Sequence, residues 1–184
     1  MKRLFLLGAF ALLSVVGAQA QTSFGLKVGL NVANIGGDAR NTDPRTGVHA
    51  GFFATAPISE RFAIQPELLY SQQGFKNDDF TYTYHYLNIP LIFKGTISGG
   101  FHLQVGPQFG ILLDAKRKRG NITEDLSDNL NKYDGALALG LGYDVSRLQI
   151  SARYNLGLSD VNDGNEKGAT YPNNVFQVSV GVKL

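Results

Sequence analysis

Residues 134–145 read DGALALGLGYDV, in which Leu137, Leu139, Leu141, Tyr143 and Val145 alternate with Ala138, Gly140, Gly142 and Asp144. Side chains of a strand point to opposite faces with a period of two, so this segment reads as a strand with one greasy face. The other face is mostly glycine and alanine, which is a poor surface to present to water. Glycine weakens a strand unless something crowds it. A chain built on this pattern must turn its small-residue face towards a tight space.

The pattern recurs along the chain. Segments 24–32, 47–56, 62–75, 81–95, 101–113, 134–145, 148–159 and 175–184 all alternate, which gives about eight strands of roughly ten residues. In the first, Phe24, Leu26, Val28, Leu30 and Val32 oppose Gly25, Lys27, Gly29 and Asn31. In the fourth, Leu87, Ile89, Leu91 and Phe93 oppose Asn88, Pro90 and Lys94. Ten residues is also the length of a tilted strand that crosses a bilayer. Connectors after the second, fourth and sixth strands are short turns such as Ser98-Gly99-Gly100 and Ser146-Arg147. The connectors after the first, third, fifth and seventh are mostly longer and polar, including residues 115–133 and 160–174. Turns on one side and loops on the other is the pattern of outer-membrane barrels.

Charge placement orients the faces. The apolar parity carries no ionised group in mid-strand, whereas Lys27, Glu67, Lys94, Asp134, Asp144, Arg153 and Lys183 fall on the opposite parity. A Lys or Arg facing lipid at the bilayer midplane costs about 2–4 kcal/mol. The apolar face is therefore expected to meet lipid, and the small and polar face to fill a lumen with room for side chains and little else. In such a lumen charges must pair. Lys27, Glu67, Lys94, Asp134 and Arg153 are expected to form one network, with Glu67 and Arg153 at its centre. Aromatic residues near strand ends, Tyr70, Phe75, Phe80, Tyr82, Tyr84, Tyr86, Tyr143 and Tyr154, are expected to form interfacial girdles.

The N-terminus speaks to compartment. Lys2 and Arg3 precede an apolar stretch at 4–16, and Ala18-Gln19-Ala20 fits a small-x-small cleavage site. Residues 1–20 read as a secretory signal cut between Ala20 and Gln21, leaving residues 21–184 as one barrel domain. The signal takes two of the 17 basic residues and none of the 15 acids, so the remainder is balanced and no nucleic-acid partner follows. The chain has no Cys, which excludes disulfides, thiolate metal sites, a Cys nucleophile and an N-terminal lipidated Cys.

A search for chemistry finds no catalytic constellation. His49, His85 and His102 lie on different strands without metal-ligand spacing. Gly140-Leu141-Gly142 is followed by no helix, so it is not a nucleotide loop. Residues 160–164 have a calcium-like composition without the spacing of an EF-hand loop. No enzyme activity and no cofactor are expected. The run Lys116, Arg117, Lys118 and Arg119 follows the fifth strand. If that end faces outward it would meet lipopolysaccharide phosphates, which Arg and Lys bind well; Glu124, Asp125 and Asp128 stand ready to neutralise it.

The segments GLKVGLNVANI, QPELLYSQQGF, YLNIPLIFK, VGPQFGILL, KYDGALALGLGYDV and ARYNLGLSDV resemble, in order, the "porin family" or PorT-like group of small outer-membrane barrels. The resemblance implies an eight-stranded barrel, a place in the cell envelope, no enzyme activity and no proven pore. The C-terminal Leu184 stands where many outer-membrane barrels carry an aromatic residue.

The expected fold is all-β, an eight-stranded antiparallel up-and-down transmembrane β-barrel in the outer membrane. Its expected partners are outer-membrane lipid and lipopolysaccharide, with an extracellular or periplasmic protein partner left open, and the barrel is expected to be a monomer. A structural or interaction role through the outer loops is the leading functional expectation. A narrow passive channel is the second. An exported soluble lipocalin-like barrel, which needs the leucine face turned inward, is the third.

Overall fold

The computed structural model describes residues 22–37, 39, 41–77, 79–127, 130–161 and 171–184. The proposed signal, with its cut between Ala20 and Gln21, lies outside these residues, as do Asp128 and most of the 160–174 loop.

The strands are β1 (Ser23–Ile35), β2 (Thr42–Pro57), β3 (Phe62–Asn77), β4 (Phe80–Ser98), β5 (Phe101–Arg119), β6 (Ile122–Asp125), β7 (Tyr133–Val145), β8 (Leu148–Gly157) and β9 (Asn173–Lys183). Each long strand pairs antiparallel with its neighbour in the chain, and β5 pairs with both β4 and β7. β1 pairs with β9 as well as with β2, so the sheet closes into an eight-stranded barrel. The C-terminus completes the seam, where the backbone N–H of Leu184 donates to the Phe24 carbonyl at 2.8 Å.

The faces are those that the alternation implies. Leu26, Val28, Phe52 and Leu139 are 45–63% exposed on the outside, while Lys27 and Glu67 are 1% and 3% exposed inside. The leucine face points away from the axis, which sets aside the lipocalin-like arrangement. The outer belt is the apolar surface that a bilayer covers.

Two expectations about length need correction. β4 and β5 each run for 19 residues, not ten, and β2 and β3 for 16. The excess lies at the loop end, where hairpin ladders continue past the span. The connector between β3 and β4 shrinks to residues 78–79, because Asn77 pairs with Phe80. The 115–133 segment is likewise not all loop. β5 continues through the basic run to Arg119 and turns at Gly120, whose φ is +56°, into β6.

Candidate functional site

The lumen is stacked in layers. The layer nearest the short turns centres on Asp144, whose Oδ2 accepts from Lys94 Nζ at 2.9 Å and from Lys183 Nζ at 3.0 Å. Its Oδ1 accepts from Gln149 Nε2 at 3.1 Å, and Gln149 exchanges two amide bonds with Gln65.

The middle layer is a triad around Glu67. Arg153 clasps that carboxylate with two nitrogens, each at 3.0 Å, while Lys27 Nζ meets Oε1 at 2.5 Å. Gln65 also donates to Oε1 at 2.7 Å, and Gln104 Oε1 accepts from Arg153 at 2.9 and 3.2 Å. These groups come from β1, β3, β5 and β8, so the network ties opposite walls together. A buried carboxylate with paired cations and satisfied lone pairs is the condition under which buried charge is tolerated. Glycine makes room for these walls. A Cβ on Gly25 would lie 2.3 Å from the Phe53 ring, which itself lies beneath Lys27 Nζ at 5.5 Å.

Above the triad lies a layer of amides and hydroxyls. His49 sits 2.7 Å from Asn31 Oδ1 and 2.8 Å from Ser179 Oγ, and Asn31 also donates to Ser71 at 3.0 Å. Gln177 donates to Asn31 at 3.0 Å and accepts from Asn155 at 2.8 Å.

The loop-end layer is apolar. Ile35, Tyr84, Tyr86, Leu112, Ala115 and Val161 form a buried cluster, with Phe75 and Tyr82 packed on it. This corrects the girdle expectation. Tyr84 and Tyr86 are 3% and 1% exposed, whereas Tyr70, Tyr143 and Tyr154 do face outward. The reason is parity, since the even positions of β4 that hold Asn88 and Lys94 inside hold these tyrosines inside too.

The single charge network is also corrected. Lys27, Glu67 and Arg153 meet, Lys94 belongs to the Asp144 layer, and Asp134 joins neither. Asp134 makes no ion pair among the described residues, and its Oδ1 is buried without a hydrogen-bond partner there. Gly140 is the residue opposite Arg153, and Asp134 stands six positions earlier on β7. At strand rise that is about 20 Å, beyond reach of the triad.

The outer membrane protein beta-barrel domain family matches residues 18–163. The chain belongs to this family. Among solved structures, Neisserial surface protein A shares 13% identity and a TM-score of 0.63, covering 89% of this chain and 99% of its own. Ail, the attachment invasion locus protein of Yersinia pestis, shares 13% identity and a TM-score of 0.56, with the same coverages. At that identity the likeness is one of fold. No curated protein matches the sequence. The chain is thus an outer membrane β-barrel protein.

In this family member the basic run lies on the β5–β6 hairpin. A bulge is responsible for how its side chains divide, because Leu112 opposes Tyr86 and Asp114 opposes His85, leaving Leu113 as an extra residue. Lys116 pairs with Asp114 at 3.0 Å, on the face where His85 meets the Tyr70 hydroxyl at 2.5 Å. Arg117 and Arg119 lie over the Phe80 ring at 5.1 and 5.0 Å and pair with Glu124 and Asp79 respectively. The expected neutralisation by Glu124 therefore reaches Arg117. The Ser127 hydroxyl and backbone N–H hold the exposed Asp125 carboxyl below its usual range. His102 contacts the Gly100 carbonyl and Gln104, at 3.1 and 2.9 Å, so the three histidines occupy three separate environments. Asp114 lies 3.8 Å from His85, an acidic neighbour that spacing along the sequence does not indicate.

Proposed function

We propose that this protein is a sealed outer-membrane anchor of the porin or PorT-like kind, which acts through its loop end and neither conducts solutes nor catalyses a reaction. The observation that carries this reading is the Glu67 triad, whose side chains, joined by Gln104, come from four strands, meet across the axis and are almost wholly inaccessible to water. The barrel acts as a monomer, since closure leaves no unpaired edge among its eight barrel strands. Residues 1–20 act as its export signal, cut between Ala20 and Gln21; N-terminal sequencing of the protein from washed outer membranes tests this. Planar-bilayer recording tests the sealed state. The expected result is no conductance above the lipid baseline, and reproducible unitary steps would establish the narrow-channel reading instead.

A contact with lipopolysaccharide phosphates is a second part of the role. It is supported by Lys116 and Lys118, which alternate with the paired arginines and leave Lys118 without a partner among the described residues. Replacing Lys116, Arg117, Lys118 and Arg119 with Ser is expected to lower lipopolysaccharide co-purification. Unchanged association would dismiss it.

A further inference from the structure

The lumen wall made by β4, β5 and β7 gathers polar groups that the charged layers do not use. Asn88 on β4, Gly110 on β5 and Asp134 on β7 stand opposite one another in register. Gly110, in the middle, has no side chain. A Cβ placed there would lie 3.0 Å from Asn88 Oδ1, 3.4 Å from Asp134 Cβ and 3.5 Å from Tyr86 Cδ1. Three side chains therefore converge over one glycine. Gln108, the next lumen-facing residue on β5, pairs with Ala136 and so lies diagonal to Asp134. Diagonal neighbours in a sheet are about 7–8 Å apart, within reach of a long side chain.

The state of these groups sets the row apart. Tyr86 Oη, Asn88 Nδ2, Gln108 Oε1 and Asp134 Oδ1 are each buried without a hydrogen-bond partner among the described residues. Tyr86, Asn88 and Gln108 are 1%, 2% and 7% exposed. Buried polar groups of this kind are rare, and each costs free energy until something satisfies it. Asp134 adds a negative charge to the row. Glu67 shares two cations and Asp144 shares two, so each of those layers carries one positive charge in excess. Asp134 stands six positions along β7 from the level of Arg153, at about 20 Å, too far for that excess to compensate its carboxylate.

The chemistry of the row specifies its ligand. Carboxylate, amide and phenol oxygens suit a hard cation. One carboxylate balances one positive charge, whereas a divalent ion would make this row positive like the other two. The space over Gly110 is about one atom wide, which favours sodium over the larger potassium ion. We infer that the Gly110 row is a binding site for a sodium ion. Asp134 Oδ1 supplies the charge, and Asn88 Oδ1, Gln108 Oε1 and Tyr86 Oη supply neutral oxygens. The site goes beyond the anchoring role and stands whether or not the barrel conducts.

The test is a titration of ¹⁵N-labelled protein, purified from its membranes into lipid nanodiscs, with sodium chloride replacing N-methyl-D-glucamine chloride at constant ionic strength. The expected result is a saturable shift of the Gly110, Asp134 and Gly135 backbone amides, with little change at Lys27 and Arg153. The urea midpoint of the heat-modifiable form rises over the same range, and at ten times the half-saturating sodium the folding constant is roughly tenfold higher. Asp134→Asn is expected to abolish both responses. In sodium-free medium this variant is expected to be at least as stable as the unaltered protein, because it removes an uncompensated carboxylate. Should Asp134→Asn lose heat-modifiable mobility, Gly110→Ala puts a methyl group in the ion's place and is expected to weaken the response. Three results would overturn the site. One is the absence of a saturable shift in the unaltered protein, which is what ordered water or a proton on Asp134 would give. Another is an undiminished response in the folded variant. The third is an equal response to choline chloride.

Discussion

The two halves of the lumen solve one problem in opposite ways. Near the short turns, the axis is filled by charge, as two cations share Glu67 and two more share Asp144. Near the loops, it is filled by rings and aliphatic side chains that leave a cavity above Tyr84. The charged half joins opposite walls through directional bonds. The apolar half is held by shape alone, and shape tolerates a void. The difference places rigidity at the membrane-spanning level and leaves adaptable space at the exposed end.

The largest expected effect comes from removing the shared counter-ion. Glu67→Gln leaves Lys27 and Arg153 buried beside a neutral amide and is expected to cost about 3–5 kcal/mol, read as a lowered urea midpoint for the heat-modifiable form. A cost below about 1 kcal/mol would mean that water already solvates this level, and the contrast between the halves would fail. Leu112→Ala, in the apolar half, is expected to cost about 2 kcal/mol, at the low end for a core leucine because a void lies close by. Gly25→Ala tests the packing of the charged half, since its Cβ must push the Phe53 ring aside; a loss of about 1–3 kcal/mol is expected in the same assay. Lys118→Ser, on the exposed hairpin, is expected to shift the midpoint by no more than about 0.5 kcal/mol while still reporting on lipopolysaccharide association. If it destabilised the barrel as much as Leu112→Ala, the hairpin would belong to the core.

The legible part of this molecule was whatever a period of two can carry. Alternation assigned Leu26, Leu30 and Leu139 to one face and Lys27, Glu67 and Arg153 to the other, and that alone orients the barrel. The same rule also covered Tyr84 and Tyr86. Their even positions match Asn88 and Lys94, but the general preference of aromatic rings for interfaces points the other way. Asp134 shows a different limit. Parity says which face a charge occupies but not its height along the axis, and height decides which charges meet. The bulge after Leu112 shows a third limit, because an extra residue breaks the period and redistributes the side chains of residues 114–119 between faces. The cavity over Tyr84 had no local signal. It arises where β1, β2, β3 and β4 run beyond the span and segments distant in sequence close around them.

The central claim is the direction of the two faces, and single tryptophans test it directly because the chain has none of its own. Leu139→Trp and Tyr86→Trp place one reporter outside and one inside the barrel at positions of opposite exposure, 45% and 1%. In bilayers of brominated lipid, the tryptophan at 139 should be strongly quenched and the one at 86 should keep its emission. Quenching at 86 with protection at 139 would contradict the outward leucine face and everything built on it.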